Sequence, residues 1–254
     1  MKDELGKRMK EHYENRTRIF LPRRTYTIIR LDGKAFHTFT KGFKKPYDEG
    51  FMRVMNETAK FLCEEIQGAK LAYVQSDEIS ILLTDFEKDT TDAWFDGNIQ
   101  KIVSVAASMA TAKFNQYMTV NMSRPEISNL AFFDARTFTI PDPIEVENYF
   151  VWRQKDAVRN SLSMTAQDLY SHKELNGKNQ NDMHNMISWK GKNWNSMPDG
   201  FKRGRTIKRV LLYDIENPGL TDDIIMRHES EWTIKTPDFL KEREDLFKWI
   251  PKYE

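Results

Sequence analysis

The stretch Tyr26-Thr27-Ile28-Ile29-Arg30-Leu31-Asp32-Gly33-Lys34-Ala35-Phe36-His37 runs from β-branched and aromatic residues into an Asp-Gly turn signal. It predicts a strand over residues 26–31 with Asp32 at its tip. A second stretch repeats the arrangement: Leu71-Ala72-Tyr73-Val74 gives way to Gln75-Ser76-Asp77-Glu78 and then to Ile79-Ser80-Ile81-Leu82-Leu83. It reads as two strands joined by a tight acidic turn, with Asp77 and Glu78 at the apex. Between the two stretches Phe51, Met55, Ala59, Leu62 and Ile66 recur at helical spacing. They predict an amphipathic helix over residues 48–66 with Asp48 as its N-cap.

A strand, a crossover helix and a strand are parallel, so the C-terminal ends of both strands meet at one edge of a sheet. If the third strand inserts between the first two, as in a split βαβ unit, the Asp77 turn lies beside the Asp32 tip. Converging carboxylates repel one another unless a cation joins them. Oxygen-only ligation suits Mg²⁺, which binds through one or two carboxylates and substrate phosphates. Two such ions clamp the attacking and leaving oxygens of a phosphoryl transfer. Taken singly, each motif is also an ordinary turn. Both acids falling on one edge favours the metal.

Working outward, residues 94–117 carry Ile102, Ala106, Ala110 and Phe114 at helical spacing, and residues 130–138 read as a fourth strand closed by Pro141 and Pro143. The order βαββαβ predicts an α+β fold, a four-stranded antiparallel sheet with two helices on one face. This is the ferredoxin-like arrangement of polymerase palms and of many RNA-binding domains, and it settles no function alone. Residues 1–142 are expected to form this palm-like catalytic domain. Residues 143–254 are expected to form an elaborated α/β extension packed on it, for RNA binding and oligomerisation. The extension reads as helices over 145–160 and 165–175, a polar segment over 176–185, strands over 207–215 and 224–234, and a short final helix ending near Ile250. Before the first strand, residues 5–20 are a charged helical segment, and Arg16, Arg18, Arg23 and Arg24 form a small basic cluster.

The 254 residues are 39% hydrophobic and 30% charged, an ordinary soluble globular composition. The single cysteine, Cys63, lies on the apolar side of the first predicted helix, which excludes a disulfide framework and predicts a core thiol in a reducing compartment. No apolar signal region opens the chain and no window is apolar enough to span a bilayer. The expectation is a cytoplasmic protein with no membrane partner. A net charge of +1 leaves nucleic-acid binding to local patches. Lys190, Lys192, Lys202, Arg203, Arg205, Lys208 and Arg209 make one such patch, opposed by Asp199 and accompanied by Trp189, Trp194 and Phe201. Cations suit phosphates and rings suit unstacked bases; a solvated surface is the plainer reading. The basic loop around Lys44 and Lys45 lies within reach of a triphosphate.

Arg30-Leu31-Asp32-Gly33-x-x-Phe36-His37, Lys45-Pro46-x-Asp48, Gln75-Ser76-Asp77-Glu78, Phe133-Asp134-x-Arg136 and Trp152-Arg153-Gln154-x-Asp156 stand in that order. Together they resemble the tRNA(His) guanylyltransferase superfamily, enzymes that add nucleotides to RNA in the 3′-to-5′ direction. The resemblance implies a palm-like domain with two Mg²⁺ per active site, held by Asp32, the Gly33 carbonyl and Asp77. It implies Asp32, Asp77 and Glu78 as catalytic residues, with Glu78 tuning the other two. It implies a nucleotide site of Asp32, Gly33, Lys34, Ala35, Phe36 and His37 with Ser76 and Asp77, and Lys45 facing a triphosphate. Arg136 and Arg153 join Lys202, Arg203 and Arg205 as expected tRNA contacts. The implied substrates are tRNA with ATP, GTP and other NTPs, and the implied assembly is a homotetramer.

The eukaryotic type of this superfamily continues its Trp-Arg-Gln motif into a His-x-Asn-Asn signature. Here the chain reads Asp156-Ala157-Val158-Arg159-Asn160-Ser161, with Val158 in the place of the His and Ser161 in that of the second Asn. That pattern resembles the bacterial and archaeal Thg1-like proteins and implies template-dependent repair of truncated tRNA 5′ ends rather than untemplated G addition to tRNA(His). A nucleotide cyclase shares the palm but has no use for the basic, Trp-rich second half. A non-catalytic RNA-recognition module carries aromatics on its central strands, whereas this chain carries acids at its strand ends.

Overall fold

The structure is a computed structural model that describes residues 3–121, 129–214 and 227–253. Strand β1 (Tyr26–Gly33) alternates: Tyr26 and Ile28 point to one face of the sheet and Ile29 and Leu31 to the other, all fully buried. The chain then turns through the one-turn helix α2 (Phe36–Phe39) into α3 (Glu49–Glu65). Asp48 caps α3 as expected, its carboxylate accepting the Phe51 N–H at 3.0 Å. Strands β2 (Ala69–Gln75) and β3 (Glu78–Leu83) follow as a hairpin, then helix α4 (Ile99–Asn121) and strand β4 (Phe133–Ile140). Helix α1 (Glu4–His12) precedes all of these and buries none of its residues.

The strand order is β4-β1-β3-β2-β5-β6, where β5 (Arg205–Asp214) and β6 (Arg227–Lys235) come from the second half of the chain. Strand β3 lies between β1 and β2, antiparallel to both, so the expected insertion is present. Helices α3 and α4 cover one face, packing Val54, Leu62 and Phe114 against Ile29, Val74 and Ile81. The other face is covered by α5 (Pro143–Leu169) and α9 (Arg243–Trp249), which bring Phe150 and Leu246 against Tyr26, Tyr73 and Leu82. The fold is thus a mixed one, an antiparallel sheet between two layers of helices.

The expectations are corrected in several places. The sheet has six strands rather than four, because β5 pairs with β2 from Leu71↔Lys208 to Val74↔Arg205 and so continues the sheet across residue 142. The two helices expected over 145–160 and 165–175 are one 27-residue helix, α5, followed by the single turn α6 (His172–Leu175). Ser161 and Thr165 do not break it; their hydroxyls bond back to the Val158 and Ser161 carbonyls within the helix. Part of the polar 176–185 segment is the start of α7 (Gln180–Trp189), where Asn179 and Asp182 form a capping box. The left-handed Phe95 and Asp96 delay α4 to Ile99, and β4 begins at Phe133. The expected end of β5 at Ile215 and start of β6 at Ile224 lie outside the described residues. Cys63 is buried on α3, and burial pushes its thiol pKa up. No helix among the described residues is long and apolar enough to cross a membrane.

Candidate active site

The register sets the site. Asp32 pairs with Glu78 on β3 and with Asp134 on β4, and Gln75 and Glu78 close the β2–β3 hairpin. Ser76 and Asp77 are therefore its two-residue turn, with Ser76 left-handed at φ 46°. The turn sits beside the end of β1. After Asp32 the backbone must bend sharply under Phe36. A Cβ on Gly33 would lie 2.3 Å from the Phe36 ring, so only glycine fits there. Ala35 is left-handed at φ 54°, which directs the chain into α2.

Around this edge opens a cavity of about 630 Å³ lined by residues of both halves of the chain. Asp32, Gly33, Ala35, Phe36, His37, Lys45, Ser76, Asp77 and Glu78 of the expected site all reach it. Lys34 does not line it; its side chain is exposed, and its backbone N–H donates to the Phe132 carbonyl at 2.8 Å. Phe36 lies mainly in the core, 4% exposed and packed against Phe39, Phe51, Phe114 and Phe133. His37 and Lys45 are exposed at the mouth, with His37 Nε2 3.0 Å from the Thr38 hydroxyl.

Asp77 is half-buried, and its carboxyl pKa is raised, first by burial and then by the charges of Asp32 and Glu78, against a lowering hydrogen bond from Ser76. Asp32 is met only loosely by Arg136, at 3.9 Å. Among the described residues no three His, Cys, Asp or Glu side chains form a metal cage. The donor set is instead two carboxylates next to backbone carbonyls. It consists of hard oxygens that repel one another, and this fits a hydrated divalent cation completed by substrate phosphates.

Glu78 is differently placed. Its two oxygens accept from Arg153 Nε and Nη2, each at 2.8 Å, and Arg30 Nε lies 3.2 Å away. Both lone partners of the carboxylate are thus taken by cations, and Glu78 positions the hairpin rather than offering a free oxygen. Arg153 also bonds Asp156 at 2.9 Å and lies over the Trp152 ring, 4.4 Å from its centroid. At 4% exposed it is not placed to meet RNA.

The basic patch is corrected in the same way. Lys202 is 6% exposed, its ammonium donating to the Asn195 carbonyl at 2.6 Å and pairing with Asp199 at 3.0 Å. Arg203 is half-buried and pairs with Asp199 at 2.9 Å. Arg205 is 4% exposed. The cluster before β1 is also largely engaged: Arg23 pairs with Asp85 at 2.7 Å, Arg24 with Asp89 at 3.7 Å, and Arg18 with Glu14 at 2.5 Å. Only Arg136, of the five expected tRNA contacts, keeps an exposed side chain.

The cavity holds further residues to which the sequence reading gave no role in the site. Arg30 lies two residues before Asp32 on the same face of β1, and Gln75 is buried with its Oε1 unpaired. Tyr47 and Phe201 both line the cavity, their tilted rings 5.0 Å apart between centroids. A charged Arg inside an apolar strand was the available signal for the first. The second and third depend on contacts between distant parts of the chain.

Residues 6–141 match the sequence model of the tRNAHis guanylyltransferase family. The tRNA(His) guanylyltransferase of Debaryomyces hansenii is 32% identical over 221 residues, covering 80% of this chain and 80% of that protein. Two solved structures of a bacterial tRNA(His) guanylyltransferase (Thg1)-like protein are similar along nearly the whole chain. In complex with ATP, the similarity has a TM-score of 0.84 at 44% identity and covers 98% of this chain and 99% of that one. In complex with GTP, it has a TM-score of 0.77 at 42% identity with the same coverage.

Proposed function

The chain belongs to the tRNA(His) guanylyltransferase family, and on that premise we propose that it extends tRNA 5′ ends in the 3′-to-5′ direction, by template-dependent addition to truncated ends. The observation that carries the reading is the pair of weakly compensated carboxylates, Asp32 and Asp77, at adjacent strand ends in the mouth of a nucleotide-sized cavity. The order β4-β1-β3-β2 with α3 and α4 on one face supports a ferredoxin-like palm.

In the proposed reaction the 5′-monophosphate of the RNA attacks the α-phosphate of ATP or GTP, releasing pyrophosphate and leaving a nucleotidyl-capped end. The 3′-hydroxyl of an incoming NTP then attacks the capped phosphate, releasing AMP or GMP and lengthening the RNA by one nucleotide. Asp32, Asp77 and the Gly33 carbonyl would hold Mg²⁺, two ions per site, which supply charge neutralisation and a lowered pKa at the attacking hydroxyl. Glu78 and Arg153 keep the Asp77 turn fixed against α5. Lys45 and His37 stand at the mouth, where a triphosphate enters. Arg136, beside Asp32, is placed to meet the RNA end. We assign tRNA holding and assembly to residues 143–254 together with the exposed Leu5, Met9 and Tyr13 of the N-terminal segment, whose open apolar surface suits a homotetramer. We propose a cytoplasmic location as well.

Purified protein, Mg²⁺, labelled NTPs and a 5′-truncated tRNA test the proposal. The added nucleotide is expected to follow the opposing base when that base is changed, and Asp32→Ala or Asp77→Ala to abolish addition while the protein stays folded. Addition of G whatever the opposing base would place the chain with the untemplated enzymes. Full activity of the Asp77 variant would remove the site.

A further inference from the structure

Arg205 stands on β5 opposite Val74, on the α3 side of the sheet. Its Nε donates to the Asn56 side-chain oxygen at 2.8 Å and its Nη1 to the Gly200 carbonyl at 3.0 Å. Both acceptors are neutral. Its Nη2 is buried with no acceptor, and no carboxylate among the described residues pairs with the guanidinium. The one-turn helix α8 (Asp199–Lys202) is shaped around it, since a Cβ on Gly200 would lie 2.9 Å from Arg205 Cδ. Burial lowers its pKa to about 10. A buried cation with neutral partners is costly to the folded state. Arg153, by contrast, is equally buried but has Glu78 and Asp156 beside it.

Arg205 is also part of the cavity lining, on the side where Lys44, Lys45, Tyr47 and Phe201 stand. Lys202 and Arg203, three and two residues before it, share Asp199, so of these three cations Arg205 alone has no carboxylate partner among the described residues. In this enclosed, low-dielectric place its charge acts strongly on any anion that enters the cavity. A compact polyanion can reach such a place, whereas the phosphates of a folded RNA need an open surface.

We propose that Arg205 recognises the polyphosphate of the nucleotide substrate: its missing counter-charge is the triphosphate tail, and it makes the cavity prefer nucleoside triphosphates over monophosphates. The proposal rests on the nucleotide-binding reading above and adds to it the residue that distinguishes phosphate number.

Calorimetric titration of the full chain with ATP and with AMP in Mg²⁺ tests it, for the wild type, Arg205→Met, Arg205→Lys and Arg205→Gln. The wild type is expected to bind ATP more tightly than AMP. Arg205→Met and Arg205→Gln should lose about tenfold to a hundredfold in ATP affinity, the range for a charge-assisted contact. Their AMP affinity should change much less. Arg205→Lys, which keeps the charge, should retain most of the preference. Without ligand, Arg205→Met should melt no lower than the wild type, because a cation without a counter-charge has been removed, and ATP should raise its melting temperature less. An unchanged ATP-to-AMP ratio in the Met and Gln variants of a nucleotide-binding wild type overturns the role of Arg205 alone. A wild type that binds neither nucleotide overturns the nucleotide reading and the inference with it. Loss of affinity for 5′-phosphorylated tRNA with ATP binding intact would reassign the residue to RNA and also overturn the proposal.

Discussion

The β1–β3 edge and the 190–209 stretch both set charge beside aromatic residues, yet the charges end in different places. At the edge, Asp32 and Asp77 share no strong cation, and Asp77 is held against burial and two like charges. In the 190–209 stretch, Lys202 and Arg203 turn inward to Asp199 and the Asn195 carbonyl, and only Lys190, Lys192 and Arg209 are exposed. The same contrast divides the motif residues. Arg153 and Glu78 satisfy each other, while Arg205 has no anion among the described residues. Charge that is matched inside the chain builds the scaffold; charge left unmatched awaits a ligand.

The strongest way to break this contrast is at the matched pair. Arg153→Met would leave the buried Glu78 with Arg30 as its one nearby cation among the described residues and should cost about 3–5 kcal/mol, the range for stripping one partner from a buried pair. Urea denaturation checks it. A cost below about 1 kcal/mol, typical of an exposed pair, would mean that Arg153 is not part of the scaffold.

A smaller effect sharpens the reading of the basic stretch. If Lys190 and Lys192 each touch a tRNA phosphate, replacing both by Ala should flatten the log-log salt dependence of tRNA binding by about 1.4–1.8, at 0.7–0.9 per contact. Lys202→Met should leave that slope unchanged and lower stability instead, since its ammonium is held inside. A flattened slope from Lys202→Met with unchanged folding would restore it as an RNA contact.

Much of the edge was legible in the sequence because it depends on local rules. Alternation fixed the faces of β1, Asp48 marked the start of α3, and the order strand-helix-strand-strand placed Asp77 beside Asp32. The second half was less legible because its elements depend on distant partners. Nothing local says that β5 joins β2, and although Asp199 lies only three and four residues before Lys202 and Arg203, no pattern in the sequence marks that the Lys202 ammonium turns in to the Asn195 carbonyl. A run of Lys and Arg reads the same in sequence whether its side chains face water or a buried carbonyl. Likewise, residues 161–164 read as a gap between two helices, but within α5 the Ser161 hydroxyl returns to the Val158 carbonyl.

The charged form of Asp77 is disfavoured by burial and by the nearby Asp32 and Glu78, the cost expected of a carboxylate that we propose holds a cation, and stability against pH measures that cost. Its folded pKa is raised, so between the ordinary carboxylate range and that raised value the folded state binds more protons than the unfolded state. Stability from this group therefore falls as pH rises through that window and is recovered as pH falls. In chelator, Asp77→Asn is expected to melt above the wild type at neutral pH, with the difference closing on acidification. Added Mg²⁺ should raise the wild type only. An Asp77→Asn protein that melts below the wild type at every pH, with Mg²⁺ stabilising both equally, would show that Asp77 serves the fold and holds no cation.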